Sequence, residues 1–329
     1  MNAIVKTPFA WLLKREYWES RRRFLWSQVA AACVILAITI LGIIASEVFK
    51  GQVTADGAVH MGGTNLNQML QMALTHDISQ LVTALDMTLL LFGFISSIVL
   101  FFVVFFYLLG SLYDDRRDRS ILFWKSLPVS DTATVGSKII TAVIIAPLIA
   151  VFVTLAGYIA AQIIMSVWFL AHGINPFGLL WAHVQPFSVW LHLLAMIPVN
   201  AVWALPTVGW LLLWSAAVRS KPFLWAVVIP IVAGALNFWI GLLGLPHAND
   251  QFFWINLVGR ALLSIIPAGW ITPNAQQLGF HFASSDQLDA ISWTSMSHAF
   301  TTPQMWIGAA VGIALIAAAI WFRRWRDEA

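Results

Sequence analysis

Charged side chains are scarce in this sequence. Asp, Glu, Lys and Arg make up 10% of its 329 residues, whereas an average soluble domain contains roughly 25%. Hydrophobic residues make up 60%, and the mean hydropathy is +0.81. Because so few charges cannot coat a water-soluble particle of this size, we expect lipid to surround much of the chain. The net charge of +3 does not indicate nucleic-acid binding, since the basic residues lie between long apolar runs.

Cysteine and the common chemical motifs are also nearly absent. The single cysteine, Cys33, excludes a disulfide framework within the chain and a cysteine-based zinc site. No pair among the eight histidines has helical i, i+4 spacing, so we predict neither a metal site nor another cofactor on this chain. The chain contains no G-x-x-x-x-G-K-[ST] phosphate loop, and we therefore expect no ATP hydrolysis by it and no catalytic residues.

Six apolar runs are long enough to cross a bilayer, which requires about 20 mainly apolar residues. They are residues 24–46, 87–112, 139–170, 187–218, 223–245 and 303–322. None of them contains Asp, Glu, Lys or Arg, which argues against a transporter driven by an ion gradient. Four prolines inside these runs predict kinks, namely Pro147, Pro198, Pro206 and Pro230. The sequence thus predicts an all-α integral membrane protein with six transmembrane helices.

The distribution of Lys and Arg predicts the topology. Sixteen of the 18 basic residues lie before the first run, between runs two and three, between runs four and five, or after run six. The positive-inside rule makes this side cytoplasmic, so both termini are expected in the cytoplasm of a bacterium whose inner membrane holds the chain. The first run follows a charged segment and is too long for a signal peptide, so we expect it to be retained as a span.

This topology divides the chain into three parts. Residues 1–23 form a cytoplasmic segment, 24–322 a transmembrane domain, and 323–329 a cytoplasmic tail. The domain includes a cytoplasmic loop at 113–138 and outside loops at 47–86 and 246–302. Within the outside loops, the spacing of apolar residues over 66–85 predicts an amphipathic helix, and residues 252–267 an interfacial or re-entrant segment.

The N-terminal segment is predicted to be an amphipathic helix on the inner leaflet. Thr7 and Pro8 resemble an N-cap followed by proline at the first helical position. Four apolar residues fall on one arc of a helical projection, namely Phe9, Leu13, Tyr17 and Phe24. Charged residues that include Glu16, Arg21 and Arg22 fall off it. The alternative is a simple anchor that sets the topology.

The cytoplasmic loop between runs two and three is the most informative segment. Dense charge over 114–119 precedes the apolar cluster Ile121, Leu122, Phe123 and Trp124. A cluster of this kind is costly to expose to water, which makes it a candidate docking surface with flanking charges that orient the partner. The alternative is a helix on the membrane surface with snorkelling arginines.

The loop resembles that of the type-2 export permeases of ABC transporters. The matching residues are Arg117, Asp118, Arg119, Ser120, Ile121, Leu122, Ser126, Leu127, Pro128, Val129, Ser130 and Lys138. Ser120 stands where the family usually has glycine, and Phe123 with Trp124 is bulkier than usual. The motif covers less than a tenth of the chain, but six spans with both ends inside agree with it independently.

The resemblance implies a permease subunit that forms the substrate path of an ATP-driven exporter. Two separate ATPase subunits would bind ATP and Mg, and a second permease copy or a paralogue would complete the path within membrane lipid. The residues expected to couple to the ATPase are Arg116, Arg117, Asp118, Arg119, Ser120, Ile121, Leu122, Phe123, Trp124, Leu127, Pro128, Val129 and Ser130. A connecting helix that includes Phe9, Leu13, Tyr17, Arg21 and Arg22 is expected to touch the ATPase as well.

Other functions stay open at this point. A non-transporting membrane protein coupled to an ATPase, for signalling or force transmission, would need a larger outside domain than these loops provide. A membrane-embedded enzyme would need converging acids, histidines or a nucleophile. Asn200 and Asn237, which lie inside runs, either line a substrate path or bond to neighbouring helices.

Cysteine labelling in intact cells would test the topology. After Cys33 is replaced, a cysteine at Asn65 or Asp286 should react with an impermeant maleimide, and one at Ser120 or Asp327 should react only after lysis. The reason is the 16-to-2 division of basic residues between the two sides. Outside labelling at Ser120 or Asp327 would contradict the prediction.

Overall fold

A computed structural model describes residues 8–48, 78–118, 129–173, 175–177, 181, 186–271 and 293–325 of the chain. In this part the regular secondary structure is helical throughout, as the apolar runs predict. The α-helices are α1 (Pro8–Arg21), α2 (Ser27–Val48), α3 (Ile78–Arg117), α4 (Asp131–Ile140), α5 (Ala146–Ala171), α6 (Pro186–Ala217), α7 (Pro222–Leu242), α8 (Asp250–Phe253), α9 (Arg260–Leu262), α10 (Trp293–Thr301) and α11 (Pro303–Trp325). Short π-helical segments join α1 to α2 (Arg22–Trp26), α4 to α5 (Thr141–Ile145) and α8 to α9 (Trp254–Gly259).

Five helical stretches are long and apolar enough to cross a membrane, and a bent pair makes a sixth if it is counted as one span. The stretches are Phe9–Ala45, Phe92–Arg117, Asp131–Ala171, Pro222–Leu242 and Pro303–Trp325. The bent pair is Trp190–Trp203 with Leu205–Ala217, which meet at 54° within α6. All six lie where the hydropathy of the sequence predicts them.

The bend in α6 has a local cause. It lies just before Pro206, whose nitrogen carries no hydrogen and whose ring collides with the carbonyl one turn earlier. The π-helical segment Thr141–Ile145 similarly lies just before Pro147. Pro230, in contrast, lies inside α7, which runs as one helix from Pro222 to Leu242.

The helices extend further than the predicted spans, which shortens the predicted loops. Because α3 ends at Arg117 and α4 begins at Asp131, the loop predicted at 113–138 contains only residues 118–130. Likewise α3 begins at Ile78, inside the loop predicted at 47–86. Of the amphipathic helix predicted over 66–85, residues 66–77 lie outside the described residues. Residues 78–85 form the first turns of α3.

The segment between α7 and α11 contains helices too short to span a bilayer. Residues 250–262 form one short helical stretch of α8, a π-helical segment and α9, and turns follow as far as Trp270. The predicted interfacial or re-entrant segment over 252–267 is therefore not a full span.

The described residues divide into two compact units. The first comprises Met1–Phe24, Leu100–Leu148 and His192–Ala329. Part of its core is a cluster between α6, the turns around Trp270, α10 and α11, with Met196, Trp203 and Met305 among its buried members. Here α6 and α11 approach closely, since a Cβ on Gly209 would lie 2.5 Å from the carbonyl oxygen of Gly312.

The second unit comprises Leu25–Val99 and Ile149–Leu191. Its core packs Ile35 of α2 against Phe92 of α3 and Tyr158 of α5. A buried polar contact adds to this packing, because the Ser96 hydroxyl donates to Gln28 Oε1 at 2.8 Å. Such a bond between helices satisfies polar groups that neither water nor lipid reaches.

Large apolar side chains cover the outer surfaces of the long helices. Val34, Leu41 and Phe94 are each more than half exposed, as are Val167 and Trp239. Soluble monomers rarely expose contiguous apolar patches larger than a few hundred Å², whereas these helices expose large apolar side chains along their length. The architecture is therefore that of a multi-pass membrane protein, with lipid against these side chains.

We expect the close approach of α6 and α11 to depend on Gly312. A Cβ at this position would collide with the backbone carbonyl group of Leu205, which cannot move aside as a side chain can. Gly312→Ala should therefore destabilise the protein by about 1–3 kcal/mol. Thermal unfolding of the purified protein in detergent would measure the loss.

Gly42→Ala is the matched control, since a Cβ on Gly42 of α2 would meet nothing within 4 Å. That variant should be neutral or slightly stabilised, because alanine favours a helix over glycine by about 1 kcal/mol. Equal unfolding temperatures for the two variants would contradict the importance of this contact.

Candidate functional site

The structure describes the two ends of the predicted coupling segment. Arg116 and Arg117 end α3, Asp118 follows it, and Val129 and Ser130 precede α4. Arg116 is 7% exposed, whereas Arg117 and Asp118 are exposed. The other predicted coupling residues lie outside the described residues; they are Arg119, Ser120, Ile121, Leu122, Phe123, Trp124, Leu127 and Pro128.

Ser130 starts the helix that follows the segment. Its hydroxyl oxygen accepts a hydrogen bond from the backbone N–H of Ala133 at 3.2 Å, which makes it the N-cap of α4. Asp131 adds a negative charge in the first turn, where the helix dipole favours it. The last residues of the Pro-Val-Ser motif thus fix where α4 begins.

Arg116 attaches the end of α3 to the end of α6. Its Nη2 donates to the carbonyl oxygens of Ser215 at 2.6 Å and Val218 at 3.0 Å. In return, the Ser215 hydroxyl oxygen accepts from the backbone N–H groups of Leu112 and Tyr113, both at 3.0 Å. These four hydrogen bonds connect the end of α3 to the end of α6. The Arg116 cation also stabilises the helix dipoles, because it lies at their C-terminal ends.

Lys138 lies between two buried carboxylates. Its Nζ is 3.2 Å from Oε1 of Glu16 in α1 and 3.4 Å from Oδ2 of Asp115 in α3. Lys138, Glu16 and Asp115 are each no more than 7% exposed. The hydroxyl of Tyr107 donates to the other Glu16 oxygen at 2.9 Å. One lysine of α4 thereby connects α1 with α3.

Arg323 extends this cluster to the last helix. Its Nη1 is 3.3 Å from Asp115 Oδ2, and its Nε donates to Asp131 Oδ1 at 3.0 Å. Arg323 is 3% exposed. We call Glu16, Asp115, Asp131, Lys138 and Arg323 the ion cluster. It connects α1, α3, α4 and α11, and it lies directly beside both ends of the predicted coupling segment.

The buried face of α1 differs from the predicted one, because it includes a member of the ion cluster, Glu16. The predicted apolar residues Phe9, Leu13 and Tyr17 are only partly buried, and Arg21 and Arg22 are exposed. Phe24, the fourth residue of the predicted arc, is buried just beyond α1, but within α1 the buried side chains are those of Leu12, Glu16 and Ser20. The prediction placed Glu16 away from the apolar arc, but Lys138 and Tyr107 supply the partners that a buried carboxylate requires.

Sequence reasoning missed four members of the ion cluster. Among its members only Lys138 belongs to the family motif, and Arg323 entered only as one of the basic residues that predict topology. A signal was present, since Glu16, Asp115 and Asp131 are acidic residues in the segments where the basic residues gather. Spacing alone could not show which of them pair.

Asn200 and Asn237 both bond to the segment between α7 and α11. Asn200 Oδ1 accepts from the N–H of Ala268 at 3.1 Å. Asn237 Nδ2 donates to the Ala248 carbonyl at 2.9 Å and to Asp250 Oδ1 at 2.8 Å. Their amide groups therefore hold this segment against α6 and α7, and a role in a substrate path stays a prediction.

We predict that Lys138→Met destabilises the protein by about 3–5 kcal/mol, because it removes the buried cation beside Glu16 and leaves Asp115 with Arg323 alone. Adding Glu16→Gln should recover part of this loss, since one of the two charges is then removed. Thermal unfolding of the single and double variants in detergent would measure both effects.

Arg324→Met serves as the control, because this neighbouring cation is exposed. It should change the unfolding temperature little. If Lys138→Met behaves like Arg324→Met, the ion cluster does not stabilise these helix ends.

No protein-family model, curated protein or solved structure matches this chain, so its function has to be inferred from its own residues and geometry.

Proposed function

We propose that this chain is the membrane permease subunit of an ATP-driven ABC exporter in a bacterial inner membrane. The observation that carries the proposal is the position of the ion cluster. It lies at the two helix ends that flank the segment resembling the coupling loop of type-2 export permeases. A loop that receives force from an ATPase needs firmly attached ends, and this loop has them.

The contacts around the segment suggest how force would spread. Asp115, before the segment, and Asp131, after it, both bind Arg323 of α11. Arg116 binds the end of α6, and Lys138 binds α1 through Glu16. A push on residues 119–128 would therefore reach α1, α3, α4, α6 and α11 together. Helices linked in this way move as rigid bodies rather than one at a time.

The chain needs partners for this activity. It contains no phosphate-loop motif, so two separate ATPase subunits would bind ATP and Mg and supply the energy. A second copy of the chain, or a paralogue, would complete the substrate path. Exposed α1 residues such as Arg21 and Arg22 are available to meet an ATPase surface, as a connecting helix would.

The decisive test concerns Phe123 and Trp124. If these side chains enter a cleft of the ATPase, replacing both with Ala should cost about 2–4 kcal/mol of binding, because buried aromatic anchors carry much of the energy of an interface. If the neighbouring gene encodes an ATPase, we expect its tagged product to recover the wild-type chain and to lose the double variant. Pull-down from detergent extracts, together with stimulated ATP turnover, would measure this.

The same pair of residue types offers a control at another site. Phe238 and Trp239 of α7 are exposed, and α7 ends on the side predicted to be outside. Replacing both with Ala should leave recovery of the ATPase unchanged. Undiminished recovery and turnover with the Phe123 and Trp124 variant would mean that this segment is not the coupling element. ATP hydrolysis by the rigorously purified chain alone would contradict the proposal that separate subunits hydrolyse ATP.

A further inference from the structure

A cavity of about 810 Å³ lies between α6, residues 250–266 and α11. Trp203 and Pro206 line it from α6, and Ile307 and Val311 line it from α11. Its walls are mainly apolar, and its volume falls within the roughly 300–1,000 Å³ typical of ligand sites. Among the lining residues that the structure describes, only Arg260 carries a charge. The cavity therefore combines a large apolar surface with a single cation.

The backbone of Arg260 is held in place from two sides. Its carbonyl oxygen accepts from the hydroxyl of Thr207 in α6 at 2.8 Å and from that of Ser264 at 2.9 Å. Thr207 is fully buried, and its hydroxyl oxygen also accepts from the N–H of Ser264 at 3.0 Å. These bonds fix the short helix that carries Arg260 against α6, so the arginine enters the cavity from a rigid element.

The guanidinium group of Arg260 is held by two contacts, but not all of its N–H groups have hydrogen-bond acceptors. It lies 3.6 Å from the centre of the Trp203 ring, and its Nη2 donates to the Gln304 carbonyl at 3.3 Å. Gly308 leaves room for it, since any Cβ there would collide with Nη2. Its Nη1 is buried and has no hydrogen-bond partner in the described part of the chain.

The charge of Arg260 is also unbalanced within the described ranges. Burial lowers the pKa of its guanidinium to about 10, and no carboxylate opposes that shift. The group therefore stays charged at neutral pH while partly removed from water. A buried cation is costly unless an anion or an equivalent set of acceptors accompanies it. The ring of Trp203 and one carbonyl oxygen only partly meet this need.

The rim of the cavity is apolar and exposed. Phe252, Leu257, Ile307 and Val311 are each at least half exposed. In a chain that spans a membrane, such a rim suits contact with hydrocarbon rather than water. Entry from the bilayer would place an acyl chain along these side chains and bring its polar head to Arg260.

We infer that this cavity binds an amphipathic anion with one acyl chain, whose carboxylate or phosphate pairs with Arg260. The apolar walls disfavour a small hydrophilic anion, and the unbalanced guanidinium disfavours a neutral or cationic amphipath. The inference goes beyond the proposed export function, because binding requires neither the ATPase nor the coupling segment. Its failure would leave the coupling proposal untouched.

Photolabelling of the full chain in phosphatidylcholine nanodiscs would test this inference. The probes are a photoreactive palmitate and the photoreactive fatty alcohol of the same length, which share the chain and differ in the head group, an anionic carboxylate against a neutral hydroxyl. We expect the palmitate probe to label peptides from residues 250–266 or α11 at least tenfold more efficiently than the alcohol. Lysophosphatidate or unlabelled palmitate should compete, and the stronger competitor would identify the head group. Lysophosphatidylcholine, acetate and inorganic phosphate should not compete.

Arg260→Gln should lower the apparent affinity for the palmitate probe by about 10- to 100-fold, which corresponds to the loss of a hydrogen bond to a charged group. Labelling by the fatty alcohol should stay unchanged, and Arg260→Lys should retain part of the affinity. Arg219→Gln is the matched control, because Arg219 is exposed between α6 and α7 and should affect neither probe.

A second variant keeps the test decisive if Arg260→Gln does not fold. Val311→Phe adds bulk to the cavity wall while Arg260 stays in place, and it should reduce labelling by both probes. Size-exclusion profiles and unfolding temperatures would identify any misfolded variant. Equal labelling by the acid and the alcohol would overturn the inference, since the cavity would then be an ordinary lipid-facing surface. Labelling outside residues 250–266 and α11, or cross-links between two copies of the chain through this rim, would overturn it as well.

Discussion

The pairing of Lys138 with Glu16 and Asp115 holds together the helix ends on which the proposed mechanism depends. Lys138 belongs to α4, Glu16 to α1 and Asp115 to α3, and Arg323 adds α11 to the same cluster. Charges taken out of water are stabilising only when their partners are close and well placed. Each helix therefore constrains the others, and removing one partner leaves the rest buried at a cost.

This arrangement suits a structure that receives force at one loop. Apolar packing between helices in a bilayer is not directional, and lipid tails compete for the same surfaces. Ion pairs at the helix ends are directional, as are the bonds from Arg116 to the end of α6. They fix how the ends of these helices meet. The proposed coupling segment begins and ends at these fixed points.

Arg260 is also a cation partly removed from water, but no carboxylate in the described part of the chain pairs with it. The cations of the ion cluster have carboxylate partners, whereas Arg260 has an aromatic ring and a carbonyl oxygen and lines a cavity. A membrane protein keeps an ionisable group at such a position for structure or for a ligand. The guanidinium also donates to the Gln304 carbonyl, but its Nη1 has no partner among the described residues, which is the basis of the proposed ligand.

The sequence by itself determined the helical class, the places of the long apolar helices and the bend before Pro206. These follow from hydrophobic length and from a missing backbone hydrogen, both of which are local properties. Only the tertiary structure decided that Glu16 is buried, that Asp115 and Asp131 share Arg323, and that Arg260 lines a cavity. Each of these facts depends on which helices lie side by side, because residues far apart in the chain supply the partners. The stability of a buried charge depends on those partners, and hydropathy and spacing do not reveal them.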